Sequence, residues 1–181
     1  MKDHTKYAFA KALNRLFEHQ ALDKITVTDI VREAGMSRQS FYRHFKDKYD
    51  LVNWYFERMA DKSFLQIGAS ETLEEGLTKK FEFILADRVF FTEAFRSKDY
   101  NNVENYDYNC ILQFYTGVIE KKTGGEMPEK IRFLLEFYCH ASITMTVEWA
   151  LSGMERAPKD MAQLLIDALP PDLEFYLKEL K

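Results

Sequence analysis

Apolar residues recur along this chain at intervals of three and four, the spacing of one helix face, and no strict alternation runs longer than a few residues. Tyr7, Ala10, Leu13, Leu16 and Phe17 form a stripe that predicts a first helix over about 3–19. Thr26 starts a second, with Asp29 three residues on in a T-x-x-D capping box, and Val27, Ile30, Val31 and Ala34 make its buried face. Gly35 stands where a left-handed residue would end that helix. Ser37 caps a third helix reaching about His44 or Phe45, and Asp47 caps a fourth that carries Leu51, Val52, Tyr55, Phe56 and Met59.

Beyond Phe64 the periodic segments lengthen, and helices are expected over about 72–86, 87–97, 103–122, 127–153 and 158–179. Gly124-Gly125 with Pro128 punctuates one junction, and Gly153 with Pro158 the next. Pro170-Pro171 must break the last helix, because neither residue supplies a backbone N–H and the ring clashes with the preceding turn. The pattern is that of an all-α protein: a three-helix helix-turn-helix head over residues 1–62 and a C-terminal helical bundle over 63–181 that dimerises.

The dimer expectation comes from the segment 127–153, "IRFLLEFYCHASITMTVEWALSGM" at its centre, which is apolar on more than one face. A helix with a single core contact needs only one such face. Ala141, Ser142, Thr144 and Thr146 are small enough to let another helix approach closely, so one side would bury in its own bundle and another against a twin. Ala141, Thr144, Met145, Glu148 and, from the last helix, Leu165 are the expected interface residues. The alternative is a central helix of a larger monomeric bundle.

Composition narrows the class. Of 181 residues, 46% are hydrophobic and 15% aromatic, ample for a core. Cys110 and Cys139 form no CxxC pair, the N-terminal "MKDHTKYAFAKAL" is charged throughout with no signal-like apolar stretch, and no apolar run approaches a membrane span. A cytoplasmic protein with no membrane partner is expected. The net charge of −4 conceals an asymmetry: residues 1–62 hold 12 Lys and Arg against 9 Asp and Glu, while the remainder holds 13 against 20. A basic head on an acidic body is the distribution expected if only the head meets an anionic polymer.

The stretch "GMSRQSFYRHF", residues 35–45, gives that polymer a chemistry. Phe41 and Phe45 are four apart and must face the core, which turns Arg38, Gln39, Tyr42 and Arg43 outward. A helix enters the DNA major groove, where Arg forks to guanine and Gln to adenine. A merely solvated helix would favour Glu, Lys and Ala on its outer face, yet no acid occurs between Ser37 and Phe45. Double-stranded DNA is the expected partner.

The longer run "ITVTDIVREAGMSRQSFYRHFKDKYDLV" closely resembles the DNA-binding head of the TetR-like family of bacterial transcriptional regulators, over roughly residues 8–60. The resemblance implies that Thr26 and Tyr42 bind phosphate, that Thr28, Arg38, Gln39 and Ser40 approach base edges, and that His44 and Lys48 clamp the backbone. With Ser37 and Arg43 these residues make up the expected DNA surface. "EFYCHASITMTVEWALSGM" and "LLIDALPPDL" are similar to a subgroup that includes regulators of dihydroxyacetone-kinase operons, some of which act with a protein co-activator.

The body offers fewer signals. The aromatics Phe91, Phe95, Phe114, Phe137 and Tyr138 either line a ligand pocket or are plain core. Control by a small-molecule effector predicts a closed apolar pocket with a few polar groups. Control by a protein co-regulator predicts a filled core and an exposed patch, with Tyr100–Tyr108 a candidate. Glu136 and His140, with Cys139 adjacent, have a ligand-like spacing, but no further Cys or His follows to complete a set, so a hydrogen-bonded core histidine is expected and no metal or other cofactor. No Gly-rich phosphate loop, G-x-S-x-G or H-E-x-x-H motif occurs, and Glu74-Glu75 suits a helix start rather than catalysis.

Overall fold

The computed structural model describes residues 2–97 and 100–180, with the side chains of residues 2, 3, 64, 66 and 100–102 outside the description. Among the described residues there are ten α-helices, one single-turn 3-10 helix at Leu22–Lys24 and no strand. The helices are α1 (Lys2–Phe17), α2 (Val27–Glu33), α3 (Arg38–Tyr42), α4 (Lys48–Gly68), α5 (Leu73–Ala86), α6 (Arg88–Phe95), α7 (Tyr100–Thr123), α8 (Glu129–Leu151), α9 (Pro158–Asp167) and α10 (Pro171–Leu177). The segment after α10 meets the start of α5 at an isolated antiparallel bridge between Thr72 and Glu179. None of these helices is long and apolar enough to cross a membrane.

The starts follow the expected caps. Thr26 and Asp29 form a reciprocal capping box at α2. Ser37 Oγ accepts from the Ser40 N–H at 3.1 Å, and Asp47 accepts from the N–H groups of Tyr49 and Asp50 at 2.8 and 2.9 Å. Gly35 has φ of +65°, so α2 does end on a left-handed residue, where any L side chain would be strained. Pro170-Pro171 separates α9 from α10, each proline closing off the preceding turn.

Some boundaries differ from expectation, among them the start of α7, at Tyr100 rather than about 103. α3 stops at Tyr42 rather than at 44 or 45. The His44 N–H bonds three residues back to Phe41, at 2.9 Å, and the Lys46 N–H is taken by the Asp50 carboxylate at 2.8 Å, so the chain tightens into the turn that starts α4. α4 is continuous through residues 62 and 63, so one helix belongs to head and body alike.

α1 to α3 and the first half of α4 close around an aromatic core. Phe9 and Phe41 pack edge to face with centroids 5.3 Å apart, Phe41 lies 5.6 Å from Phe45, and Phe45 lies 5.8 Å from Trp54. The Lys6 ammonium sits 5.2 Å over the Trp54 ring. Below it, α4 to α10 pack into a bundle, with Phe81 against Trp149 at 5.1 Å joining α5 to α8. Phe41 has no solvent exposure and Phe45 3%, which fixes the orientation of α3.

Candidate nucleic-acid interface

With Phe41 and Phe45 locked inward, the opposite face of α3 is open. Arg38, Gln39 and Arg43 are exposed and Tyr42 is half exposed at 50%. The Arg38 guanidinium lies 5.9 Å from the Tyr42 ring centre and donates to its hydroxyl at 3.5 Å, so the two project together. Ser40 and His44 are half-buried at the edges of this face, while Ser37 is exposed at its start as a cap. Thr28, exposed in the first turn of α2, has its side chain clear of the capping box.

Thr26 and Lys48 are both committed to the protein. The Thr26 hydroxyl donates to Asp29 Oδ2 at 2.6 Å and accepts from the Asp29 N–H at 3.2 Å. The hydroxyl's bond to Oδ2, a second bond to Oδ2 from the Thr26 backbone N–H at 3.0 Å, and the nearby Arg32 guanidinium hold the Asp29 carboxyl below its usual range. Lys48, expected to clamp a phosphate, gives its ammonium protons to the carbonyls of Leu22, Asp23 and Ile25, at 2.7, 3.2 and 2.8 Å. Three acceptors match the three donors of an ammonium, so in this structure Lys48 closes the 3-10 turn rather than reaching outward. Sequence reasoning missed this because the turn is only three residues long and carries no periodic signal.

In the body, Phe91 and Phe95 do border a closed space, but it is only about 20 Å³, and Phe56, Ala60 and Ile84 complete its apolar wall. Phe114 is half-buried in a separate open groove of about 850 Å³ between α4 and α7, beside Leu65 and Cys110. Phe137 and Tyr138 are placed apart from that space. Phe137 is 64% exposed on the outer face of α8, while its neighbour takes the inward position. Tyr138 is buried, but its hydroxyl donates to the Leu165 carbonyl at 2.9 Å and so ties α8 to α9. Tyr106 and Tyr108 are half-buried, and Tyr100 lies outside the described side chains.

α8 does carry two faces, divided differently from the expectation. Ser142 and Thr146 are buried, each hydroxyl bonded to the carbonyl four residues back, so they pack inside the chain. Ala141, Thr144, Met145 and Glu148 are exposed along one stripe, continued by Phe137 and by Phe133, which is 67% exposed. Leu165 is buried in its own chain, and its neighbour Leu164 is a large apolar side chain exposed on α9, at 44%. A groove of about 840 Å³ between α8 and α9 is lined by Met145, Glu148, Trp149, Leu164 and Leu165. His140 is exposed and stacks on Tyr108 at 4.1 Å, rather than lying in the core. Burial pushes the fully buried Cys139 thiol up to about 12, so adjacent positions of the suspected ligand set face different environments.

The comparisons with known proteins converge on this geometry. Residues 10–54 match the family model described as bacterial regulatory proteins of the tetR family, and residues 71–170, more than half of the chain, match the one described as transcriptional regulator C-terminal region. The chain is 38% identical over 53 residues to the HTH-type dhaKLM operon transcriptional activator DhaS of Lactococcus lactis subsp. lactis (strain IL1403). It is 35% identical over 48 residues to an HTH-type transcriptional regulator of Staphylococcus aureus (strain USA300). These matches span 29% and 26% of this chain, and 28% and 26% of those relatives. In three dimensions it is similar to the dihydroxyacetone kinase operon activator DhaS, with a TM-score of 0.69 at 19% identity, covering 96% of this chain and 98% of that one. With both family models matched in order and the all-helical architecture shared, the chain belongs to the TetR family of DNA-binding transcriptional regulators and is not an enzyme.

Proposed function

We propose that this regulator is a homodimer whose two heads, residues 1–62, read the half-sites of a pseudo-palindromic operator, and whose bodies, residues 63–181, pair and receive a small-molecule effector. The observation that carries the DNA reading is the outer face of α3, where Arg38, Gln39, Tyr42 and Arg43 stand exposed over a core-locked Phe41 with no acid among them. Arg38 and Gln39 read base edges, with Ser40 and Thr28 beside them. Tyr42, Arg43 and His44 hold the phosphate backbone, Thr26 and Ser37 keep the two helix starts in place, and Lys48 holds the 3-10 turn against α4. Pairing is supported by the exposed stripe of α8, where two copies would bury Phe133, Phe137, Ala141, Thr144 and Met145 about a two-fold axis.

Control follows from α4, which runs unbroken from beneath the recognition helix into the body. An effector that binds one spacing of the heads more tightly than another shifts DNA affinity by that difference. A second reading, control by a protein co-regulator, is favoured by Leu65, 74% exposed on α4 beside the groove that holds Phe114. The test of DNA recognition is to mix the purified chain with fragmented genomic DNA, recover what it retains, and sequence it. Enrichment of one pseudo-palindromic sequence is expected; recovery that mirrors the input would overturn the reading.

A further inference from the structure

The small closed space in the body holds three polar side chains that DNA recognition does not use. Ser63 of α4, Lys80 of α5 and Asp107 of α7 line it, and they are only 6%, 4% and 8% exposed. Neither Lys80 Nζ nor Ser63 Oγ has a hydrogen-bond partner. Over them stand Phe56, Phe91 and Phe95, whose ring centres lie about 6 Å apart in a triangle, at 6.0, 5.9 and 6.0 Å. A buried ammonium beside three aromatic rings and without an acceptor is costly, and proteins keep such a group where something else completes it. Asp107 is the one carboxyl lining the space and it bonds to neither, so the three donors of Lys80 and the one of Ser63 remain without an acceptor.

We propose that this chamber is the head-group site for a small apolar carboxylic acid, whose carboxylate supplies the acceptors for Lys80 and Ser63 while its hydrocarbon lies against Phe56, Phe91 and Phe95. The proposal deepens the small-molecule reading above and rests on it. Burial pushes the Asp107 carboxyl up, with the Lys80 charge pulling it back only in part. With a proton on it, the Asp107 carboxyl donates to an incoming carboxylate; without one, it repels it. The space of about 20 Å³ has room for a single water, so a carboxylate enters only when the aromatic triangle opens. Phe91 and Phe95 belong to α6 and Ser63 to α4, so entry of the acid pries apart the two helices nearest the head.

The experiment measures thermal unfolding of the full chain with acetate, butyrate, hexanoate and benzoate, each against its uncharged amide and against sodium chloride at equal ionic strength. The expected result is a concentration-dependent rise in melting temperature for at least one of the acids, absent for its amide and for chloride. Lys80→Met, which fills the same volume without the charge, should keep its fold and weaken that acid roughly tenfold or more, the loss of charged hydrogen bonds. Should Lys80→Met fail to fold, Ser63→Ala carries the test through a smaller loss of affinity for the same acid. No response to any acid, an equal response to amide or chloride, or an undiminished response in the folded variant would overturn the proposal. Genomic DNA selection by the unliganded protein separates the two readings: a chain that selects its operator but ignores the acids loses this proposal alone.

Discussion

The Glu93 carboxylate of α6 accepts a buried hydrogen bond from the Leu22 backbone N–H at 2.8 Å, across 71 positions of sequence. The carbonyl of the same Leu22 accepts from Lys48 at the start of α4, at 2.7 Å. Body helix, 3-10 turn and head are thus joined through one residue. Glu93→Ala leaves the Leu22 N–H buried without an acceptor, and a stability loss of about 1–3 kcal/mol is expected from urea denaturation. Lys48→Met should lose stability on the same scale while keeping the steepness of the salt dependence of DNA binding. Unchanged stability with a shallower salt slope would return Lys48 to the phosphate contacts.

Arg38→Ala or Gln39→Ala should each cost about 1–3 kcal/mol on the preferred duplex and relax base preference at one position per half-site. Fluorescence anisotropy on matched and scrambled duplexes at one salt concentration reads this directly. Equal loss on both duplexes would make the residue a backbone contact. Arg43→Ala is the counterpart, with affinity expected to fall for both duplexes alike.

Why these contacts could be assigned from sequence and others could not has a physical basis. Phe41 and Phe45 must be buried, and burying them determines where every other α3 side chain points. The caps at Thr26, Ser37 and Asp47 act within four residues, so they too are local and readable. Lys48 and Glu93 act on Leu22 across 26 and 71 positions, and only the assembled fold brings them there. Phe137 and Tyr138 show the same limit: adjacent aromatics on a helix with two apolar faces, of which packing turns one outward and one inward. Lys80 in "TKKFEF" has the helical spacing of the buried Leu77 and Ile84, a signal of position that its charge conceals, while Lys79 falls off that face.

A charge on the exposed stripe of α8 tests pairing. Thr144→Glu would place two like charges near a two-fold axis, and desolvating them costs several kcal/mol. Sedimentation of the wild type should give twice the chain mass of 21.4 kDa, and the variant should dissociate at micromolar concentration. An unchanged assembly would move the interface off this face.

Acid should loosen the start of α2. Asp29 has a carboxyl held below its usual range by Thr26, so its contribution to stability is full above the pKa it has in the unfolded chain. That contribution fades as pH falls through the depressed folded value. Carboxyl chemical shifts followed through an acid titration should show the low midpoint in the wild type and a return toward the ordinary range in Thr26→Val.

Hydroxyl-radical footprinting of the protein on its selected duplex tests the central claim most directly. Two outward α3 faces on one two-fold axis should protect two symmetric patches on one side of the DNA, centred about one helical turn, roughly 34 Å, apart or a multiple of it. A single patch, or diffuse protection that follows salt and not sequence, would contradict recognition by a pair of heads.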